Sequence, residues 1–372
     1  MSTSELTTVR AGFIPLVDCA VLVAAKEKGF AERHGIDLLL KPEVSWANIR
    51  DHINVGFLDV AHMLAGMPIA QSLGINHIKF PIIAPMALGA GGNAITVSCG
   101  LHAQLQDTGA DLSDPLSAAK ALRKVVDRRR SDGLEPLSFG QVFPFSCHNY
   151  QLRYWMAAAG IDPERDVSLV VIPPPYMVKS LEAGQVDGFC VGEPWNTLAV
   201  EQGVGVILLP TSSFWPAGPE KVLGLSERWA NDNRETLQAL LKALDEAAKW
   251  ADDAANHAEL ADMLAVDAYL GVSAPVLAKA LAGDLHFYNA GIVRAECEDA
   301  LWLYAQMVRW GQIPLSREAE QVACRTYRPD LRAAALGVEK DISTAAHPAP
   351  LDGVAFDAAD VPGYIAEVLI KA

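Results

Sequence analysis

Four side chains stand at positions in the sequence where a small anion could be held. Trp46 follows Ser45 at the start of a predicted helix, and His148 begins another helix after FPFSC. Asn93 comes directly after a run of glycines, and Lys221 lies in the segment PEKV. The first turn of a helix presents unpaired N–H groups and a partial positive charge, and a lysine adds a full positive charge. These residue types predict the binding of a small anion.

Each of these residues also has an ordinary structural explanation. A tryptophan or a histidine is commonly part of the core, an asparagine beside glycines is a typical turn residue, and a lysine is usually solvated. The spacing in the sequence does not show whether the four side chains meet. The anion site is therefore a hypothesis that depends on the fold.

The sequence lacks the common motifs of catalysis. It contains no G-x-x-x-x-G-K-[ST], and GAGG at residues 89–92 does not fit the dinucleotide pattern G-x-G-x-x-G. The motifs G-x-S-x-G and H-E-x-x-H are absent, and the nine histidines have no metal-ligand spacing. We therefore predict a binding protein that is not an enzyme and that uses no metal or cofactor.

The acidic composition limits the partners of the protein. The 372 residues carry a formal net charge of −15, which argues against direct binding to nucleic acid or to an anionic membrane. A chain that is 51% hydrophobic and 20% charged is typical of a folded protein. The six cysteines lie far apart and form no C-x-x-C pair, which indicates separate core thiols.

The start of the chain bears on its localisation. The segment MSTSELTTVRAGFI lacks the basic region, the apolar run and the cleavage site of a secretory signal. No uninterrupted apolar stretch reaches roughly 18 residues, so no membrane span is predicted. We expect a cytoplasmic protein.

Alternating strand and helix patterns predict the elements that position these residues. Asp18, Ser45 and Ser146 are expected to cap helices, and the glycines at 89–92 indicate a crossing between two lobes. The pattern predicts an α/β fold, a two-lobed clamp with mainly parallel sheets and a ligand cleft between the lobes. The predicted boundaries are 8–92 and 219–330 for lobe I, 93–218 for lobe II and 331–372 for a C-terminal extension.

Several ordered segments carry a resemblance to a known family. They are GFIPLVDCAVLVAAKEKGF, SWANIRD, VAHML, GGNAITV, HNYQLRYWMAAAGIDPERDV, VVIPPPYMV, FCVGEPWN and PEKVLGL. Together they resemble the nitrate- and bicarbonate-binding proteins of bacterial ABC importers. The resemblance runs from about residue 9 to about residue 265, with only generic similarity beyond. It implies the type II periplasmic-binding fold, in agreement with a two-lobed clamp.

The resemblance also implies a ligand set. Nitrate-binding members hold the anion with a tryptophan, a glutamine, a histidine and a lysine. Motif by motif, these match Trp46, Asn93, His148 and Lys221, with asparagine in place of glutamine. That departure shortens the amide by one methylene and leaves the choice between nitrate and nitrite open. Bicarbonate-type relatives carry an acid near the lysine position and use calcium, so Lys221 favours a metal-free site for a monovalent anion.

The resemblance to the same family also implies a role for the segment GFCVGEPW. The strand is expected to end at the cleft, where Glu193, Pro194 and Trp195 form a rigid wall beside the site. A bare carboxylate would repel a bound anion. Glu193 is therefore expected to hold a backbone or side-chain partner and to serve as scaffold.

The expected cytoplasmic location narrows the resemblance to cytoplasmic nitrate/nitrite sensors of the NasS type. Such sensors pair with an RNA-binding antiterminator of the NasT type and control nitrate assimilation genes. Our hypothesis is that the open, ligand-free clamp holds the antiterminator inactive and that nitrate or nitrite, by closing the clamp, releases it.

Two other functions stay open. The first is the substrate-binding component of a nitrate ABC importer. The second is an enzyme related to the pyrimidine synthases of thiamine biosynthesis, which share the fold. The cysteine-rich motif of those enzymes, of the kind C-C-C-F-G-C, is absent from this sequence.

Overall fold

The computed structural model describes residues 6–215, 219–288, 296–338 and 350–368. Two five-stranded sheets form its framework. The strands of the first sheet are β1 (Thr7–Phe13), β2 (Ile36–Pro42), β3 (Val60–Leu64), β4 (Ile82–Ala90) and β10 (Pro219–Ser226). Those of the second sheet are β5 (Asn93–Ser98), β6 (Ser138–Gln141), β7 (Ser168–Val171), β8 (Gly188–Gly192) and β9 (Gly205–Pro210).

Both sheets are mixed, which corrects the expected strand pattern in part. The order is β2-β1-β3-β10-β4 in the first sheet and β7-β6-β8-β5-β9 in the second. In each sheet one strand, β10 or β5, runs antiparallel to both of its neighbours. These two strands lie beside the crossings between the sheets, because the chain reverses as it enters and leaves the second lobe. The α/β class and the two-lobed architecture are confirmed.

Helices flank the strands of both sheets. The four that follow strands of the first sheet are α1 (Ala20–Glu27), α2 (Phe30–Arg33), α3 (Trp46–Asn54) and α4 (Gly66–Leu73). Those between strands of the second sheet are α5 (Cys99–Gln106), α6 (Pro115–Ser131), α7 (Cys147–Ala158), α8 (Met177–Glu182) and α9 (Trp195–Glu201). Single 3₁₀ turns lie at Val17–Cys19, Pro174–Tyr176, Thr211–Ser213 and Ala254–Asn256.

The chain becomes helical after β10. The helices are α10 (Glu227–Asp232), α11 (Arg234–Asp252), α12 (His257–Leu264), α13 (Ala274–Leu281), α14 (Cys297–Arg309), α15 (Arg317–Thr326), α16 (Pro329–Leu336) and α17 (Val361–Val368). On α11 the apolar residues recur at helical spacing, and Leu237, Leu240, Leu241 and Leu244 are buried along one face. That face packs on α1 and α16, which fixes α11 against the first lobe.

The glycines at residues 89–92 make the crossing that the sequence predicts. Gly89 lies within β4 of the first sheet, and Gly91 and Gly92 lie between β4 and β5 of the second sheet, both with φ +75°. A Cβ at Gly91 would come within 2.3 Å of the carbonyl oxygen of Asp284. A residue with a side chain would therefore be strained in its backbone and would also clash with backbone at this crossing.

The lobe boundaries remain a prediction. The strands of the first sheet come from two separate parts of the chain, and the return to it passes through residues 216–218, which lie outside the described residues. The predicted start of the C-terminal extension, residue 331, falls inside α16. Residues 339–349 and 369–372 of that extension also lie outside the described part.

One expectation about the cysteines is wrong. Cys297, at the start of α14, and Cys324, on α15, form a disulfide. The two residues are 27 positions apart in sequence, but α14 and α15 pack against each other and bring their Cα atoms to 4.4 Å. The other four cysteines are not disulfide-bonded.

Candidate functional site

Five of the residues at the candidate site belong to the first lobe. Asp18 lies in the 3₁₀ turn after β1, His62 lies in β3, and Glu220 and Lys221 lie near the start of β10. Trp46 is the first residue of α3, whose start is fixed because the Ser45 Oγ accepts the backbone N–H of residue 48 at 3.2 Å. This cap confirms the expected start of the helix and places the indole at its first turn.

The second lobe supplies three more residues. Asn93 is the first residue of β5, and His148 and Gln151 lie in the first half of α7. The expected cap of α7 is confirmed, because Ser146 Oγ accepts the backbone N–H of Asn149 at 3.0 Å. The site residues of the two lobes therefore come from opposite sides of the crossing.

Lys221 lies at the centre of the cluster and is fully buried. Its Nζ atom is 2.6 Å from Asp18 Oδ2 and 2.5 Å from Glu220 Oε1. It also lies 5.8 Å from the centre of the Trp46 ring, within range of a cation–π contact. The ammonium group thus sits between two carboxylates and faces one aromatic ring.

Glu220 joins the two lobes. Its Oε1 atom lies 3.0 Å from His148 Nε2, and its Oε2 accepts a hydrogen bond of 2.5 Å from Asn93 Nδ2. The same Asn93 amide donates to Gln151 Oε1 at 2.9 Å. Because Glu220 belongs to the first lobe and its partners to the second, these contacts cross the seam between the lobes.

The structure thus brings Trp46, Asn93, His148 and Lys221 into one buried cluster. Each is at most 3% exposed. The contact between Lys221 and the other lobe passes through Glu220, which we did not select from the sequence. Their assignment as ligands of an anion remains a prediction.

Sequence reasoning missed Asp18, His62, Gln151 and Glu220 as members of the cluster. The expected role of Asp18 as a helix cap is wrong: its side chain makes no cap hydrogen bond and instead contacts Lys221 and His62. Two features of the sequence could have indicated His62 and Glu220. His62 interrupts the apolar segment VAHML, and Glu220 precedes a lysine at the start of a buried strand. A charged or imidazole side chain in a buried strand needs a partner.

The charges of the three ionised residues stabilise one another. Burial alone would raise the pKa of Asp18 and of Glu220 and lower that of Lys221. For Asp18 the interactions with Lys221 and His62, and for Glu220 those with His148 and Lys221, outweigh burial and hold the pKa of each carboxyl group below its ordinary value. The two carboxylates in turn raise the pKa of Lys221 above its ordinary value. All three groups are therefore charged at neutral pH.

His62 behaves differently from these three residues. Burial lowers its pKa, and the attraction of Asp18 offsets this only in part, so the pKa stays below the ordinary value. Its Nε2 atom lies 2.9 Å from Asp18 Oδ1, but the contact lacks the alignment of a hydrogen bond. The imidazole is therefore neutral at neutral pH.

Several polar atoms of the cluster have no hydrogen-bond partner among the residues that the structure describes. They are Asp18 Oδ1, Trp46 Nε1, Asn93 Oδ1 and both ring nitrogens of His62 and of His148. A buried donor or acceptor without a partner costs about 1–3 kcal/mol, so such atoms are unusual in a folded protein. Their concentration at the seam is typical of a site that binds a polar ligand.

The predicted cleft wall lies at the same seam. The peptide bond between Glu193 and Pro194 is cis, the Trp195 Nε1 donates to the Pro15 carbonyl at 3.2 Å, and the Glu193 carbonyl accepts the N–H of Val17 at 2.8 Å. These bonds tie the end of β8 to the loop after β1. The role of the three wall residues toward a ligand remains a prediction.

The Glu193 carboxylate has the scaffold partner that was expected. Its Oε2 atom accepts the backbone N–H of Thr197 at 3.1 Å, within the first turn of α9. Burial raises the pKa of Glu193 to about 7, although hydrogen bonds from Thr197 and Asn196 act in the opposite direction. The carboxyl group is therefore close to its titration point at neutral pH.

Two features are absent from the described ranges. No group of three or more His, Cys, Asp or Glu residues is arranged to hold a metal ion. No helix there combines the length and the apolar character that crossing a bilayer requires.

Comparison with known proteins gives close relatives. The chain is 33% identical to the nitrate/nitrite binding protein NrtA of Synechococcus elongatus over 397 residues, which cover 99% of this chain and 87% of NrtA. It is 38% identical over 375 residues to the nitrate import ATP-binding protein NrtC of Synechocystis sp., covering 95% of this chain. It spans only about half, 54%, of the length of that NrtC.

A solved structure has the same fold. The crystal structure of the periplasmic nitrate-binding protein NrtA from Synechocystis superposes with a TM-score of 0.88 and 28% identity, covering 98% of this chain and 99% of that one. The similarity therefore continues well beyond residue 265, which corrects the expectation that only generic likeness follows that point. The profile of the NMT1-like family matches residues 2–265. The chain belongs to the NMT1-like family, close to the NrtA substrate-binding proteins of ABC importers.

Proposed function

We propose that this protein binds nitrate or nitrite at the seam between its lobes and that it acts through binding, not catalysis. The observation that carries the proposal is the buried cluster around Lys221, which contains the four residues that the resemblance matches to a nitrate ligand set. The 33% identity to a nitrate/nitrite binding protein supports the same ligand class.

The chemistry of the cluster suits a small planar oxyanion. Lys221 supplies a positive charge that is removed from water, where charge–charge attraction is stronger than at the surface. The Trp46 indole N–H is a buried donor without a partner in the described part of the chain, and its ring faces Lys221. An oxygen of the anion would accept from such a donor without displacing an existing hydrogen bond.

Ligand binding at the seam would be coupled to the relative position of the lobes. Trp46 and Lys221 belong to one lobe, and Asn93 and His148 belong to the other, so an anion bound by all four prefers the closed form. A partner that prefers the open form would be released on closure, by linkage. We propose that this partner is an RNA-binding antiterminator of the NasT type, and that the protein senses nitrate or nitrite in the cytoplasm.

Titration calorimetry tests the ligand. Nitrate, nitrite, bicarbonate and chloride are titrated into the purified protein with and without calcium. We expect nitrate or nitrite to bind without calcium, and binding to be lost in Lys221→Met. Lys279→Met is the matched control, because Lys279 forms an exposed ion pair with Glu201 at the same distance of 2.6 Å. Calcium-dependent bicarbonate binding, or no anion binding at all, would overturn the assignment.

A second candidate function is the substrate-binding component of an ABC importer. The relatives named above are nitrate import and nitrate-binding proteins. The disulfide between Cys297 and Cys324 also favours this candidate, because disulfides persist mainly in oxidising compartments such as the periplasm.

Two measurements separate the candidates. Gel filtration of the protein with a NasT-type antiterminator from the same cell, with and without nitrate, tests the sensor. A complex that forms without nitrate and dissociates with it supports the sensor. No complex under either condition, together with nitrate-stimulated ATP hydrolysis by a reconstituted nitrate permease, would establish the importer component instead.

A further inference from the structure

The charge of the buried cluster presents a problem for an anion site. Asp18 and Glu220 carry two negative charges and Lys221 carries one positive charge, so these three groups together carry a net negative charge. All five ionisable residues are 3% exposed or less. A monovalent anion would add a second net negative charge where water cannot screen it. Binding therefore requires a compensating positive charge from within the site.

His62 is placed to supply that charge. Its ring is completely buried, lies beside Asp18 at 2.9 Å, and is 5.6 Å from the Trp46 ring between centroids. The charged groups that act on it are Asp18 from the turn after β1 and Glu220 and Lys221 from β10. Neither ring nitrogen has an aligned partner among the described residues, so both are able to donate once the ring is protonated.

We propose that His62 takes up a proton when the anion enters, so that the site binds one anion and one proton together. This inference rests on the proposed function, since it concerns the same anion site. The proton comes from the buffer and is held on the imidazole, with one ring N–H directed at Asp18. No bond within the anion forms or breaks. The net charge of the cluster is then the same before and after binding.

The first consequence is a dependence of affinity on pH. The occupied site holds one more proton than the empty site, so affinity falls as pH rises through the neutral range. One linked proton weakens binding by about tenfold per pH unit. Nitrate is the anion of a strong acid and takes up no proton itself, so the proton in a nitrate titration belongs to the protein.

The experiment is calorimetry of the whole protein with sodium nitrate in two buffers of small and large ionisation enthalpy, PIPES and Tris, at the same pH and ionic strength. The difference in heat counts the protons taken up. We expect close to one proton per nitrate for the natural protein and close to none for His62→Gln. The glutamine amide still reaches toward Asp18 but cannot bind a proton.

The control is His34→Gln. His34 Nε2 contacts Glu246 Oε1 at 2.8 Å, which is the same kind of pair on the surface. We expect this variant to retain the full proton uptake and the pH dependence of the natural protein. A comparison of the two variants therefore separates the loss of a particular buried imidazole from the loss of any histidine.

The outcomes distinguish this inference from the proposed function. Nitrate binding without proton uptake would overturn the inference and leave the anion site intact. Uptake that persists in His62→Gln would also overturn it, since the proton would then be held elsewhere, for example on His148. Absence of nitrate binding in the natural protein would overturn the proposed function instead. If His62→Gln does not fold, the nitrate affinity of the natural protein is measured between pH 6 and 9 instead. An affinity that does not change over this range would refute the linkage.

Discussion

Lys221 and Asp18 form an ion pair of 2.6 Å in which the side chains are 0% and 4% exposed. The pair connects the strand that returns to the first sheet with the turn that follows the first strand. A surface pair in the same molecule, Lys279 with Glu201, has the same distance but side chains that are 60% and 39% exposed. The two pairs therefore differ in burial and not in length.

Replacement of Lys221 by methionine leaves two buried carboxylates without their cation. We expect the free energy of unfolding to fall by about 3–5 kcal/mol, the usual cost of breaking a buried ion pair on one side. Lys279→Met is expected to cost less than about 1 kcal/mol, because an exposed pair contributes little. Urea denaturation of both variants measures the two costs.

A second substitution tests whether the uncompensated charges cause the loss of stability. Adding Asp18→Asn to Lys221→Met removes one of the uncompensated charges and should restore part of the lost stability, so the two substitutions should be non-additive. Equal losses for Lys221→Met and Lys279→Met, or strict additivity in the double variant, would contradict the charge explanation.

Trp46→Phe separates ligand binding from stability. Phenylalanine keeps an aromatic ring beside Lys221 but removes the indole N–H, which has no partner among the described residues of the protein. We expect the stability of the ligand-free protein to change little, since no hydrogen bond is lost, and nitrate affinity to fall about tenfold. Calorimetry and thermal unfolding on the same sample measure both quantities.

The matched control for this substitution is Trp310→Phe. The Nε1 of Trp310 is also buried without a partner among the described residues, but its ring packs on Arg153 and Arg309 rather than on Lys221. Nitrate affinity should be unchanged in this variant. An equal loss in both variants would mean that the effect is not local to the site.

The raised pKa of Glu193 predicts that the stability of the folded protein decreases as pH rises. Its pKa is raised by burial from 4.5 to about 7, so the folded protein holds a proton that the unfolded chain releases. The resulting contribution is complete below about pH 4.5 and is lost as pH rises through about 7. Because the side chain is only half-buried by its accessible surface, we expect Glu193→Gln to recover about 1–2 kcal/mol at pH 8.

Unfolding midpoints at pH 5 and pH 8 test the role of Glu193. The glutamine amide oxygen can still accept the N–H of Thr197, so the start of α9 is preserved. Glu135→Gln, an exposed residue of the second lobe, is the control and should leave the pH profile unchanged. A profile for Glu193→Gln that parallels that of the natural protein would show that Glu193 is ionised throughout.

The disulfide predicts how many of the cysteines react with a thiol reagent. With Cys297 paired to Cys324, four of the six cysteines should react with a thiol reagent in denaturant, and all six after reduction. Loss of a cross-link that closes a loop of this length should cost about 3 kcal/mol. Cys324→Ser measures that cost, and Cys99→Ser, at an exposed cysteine that is not disulfide-bonded, is its control. Six reactive thiols in the unreduced protein would contradict the pairing.

The sequence was sufficient to predict most helices and strands and half of the residues of the buried cluster. Local signals were correct where they depend on neighbouring residues, as with the helix caps at Ser45 and Ser146 and the crossing at residues 89–92. The antiparallel direction of β5 and β10 was missed, because strand direction depends on the path of the whole chain. Periodicity within a single strand contains no information about its neighbours.

The rest of the cluster depends on contacts that are distant in sequence. Asp18 and Lys221 are more than two hundred positions apart, and an aspartate before a helix is more often a cap than an ion-pair partner. The disulfide was missed for a similar reason, since two cysteines without a motif show their pairing only after α14 and α15 pack together. Partners of this kind follow from tertiary packing and not from spacing.

The helices after residue 265 hold the two lobes together, and this has a consequence for experiments with fragments. Tyr327 donates to the carbonyl of Ala65 in the first lobe at 2.9 Å, and Gln312 donates to the carbonyl of Pro144 in the second at 3.0 Å. A fragment that ended where the family profile ends would lose both of these links. It would also expose the apolar surface that α14 covers on α4 and α7. We therefore expect the smallest stably folded unit to be longer than the region by which the family is recognised.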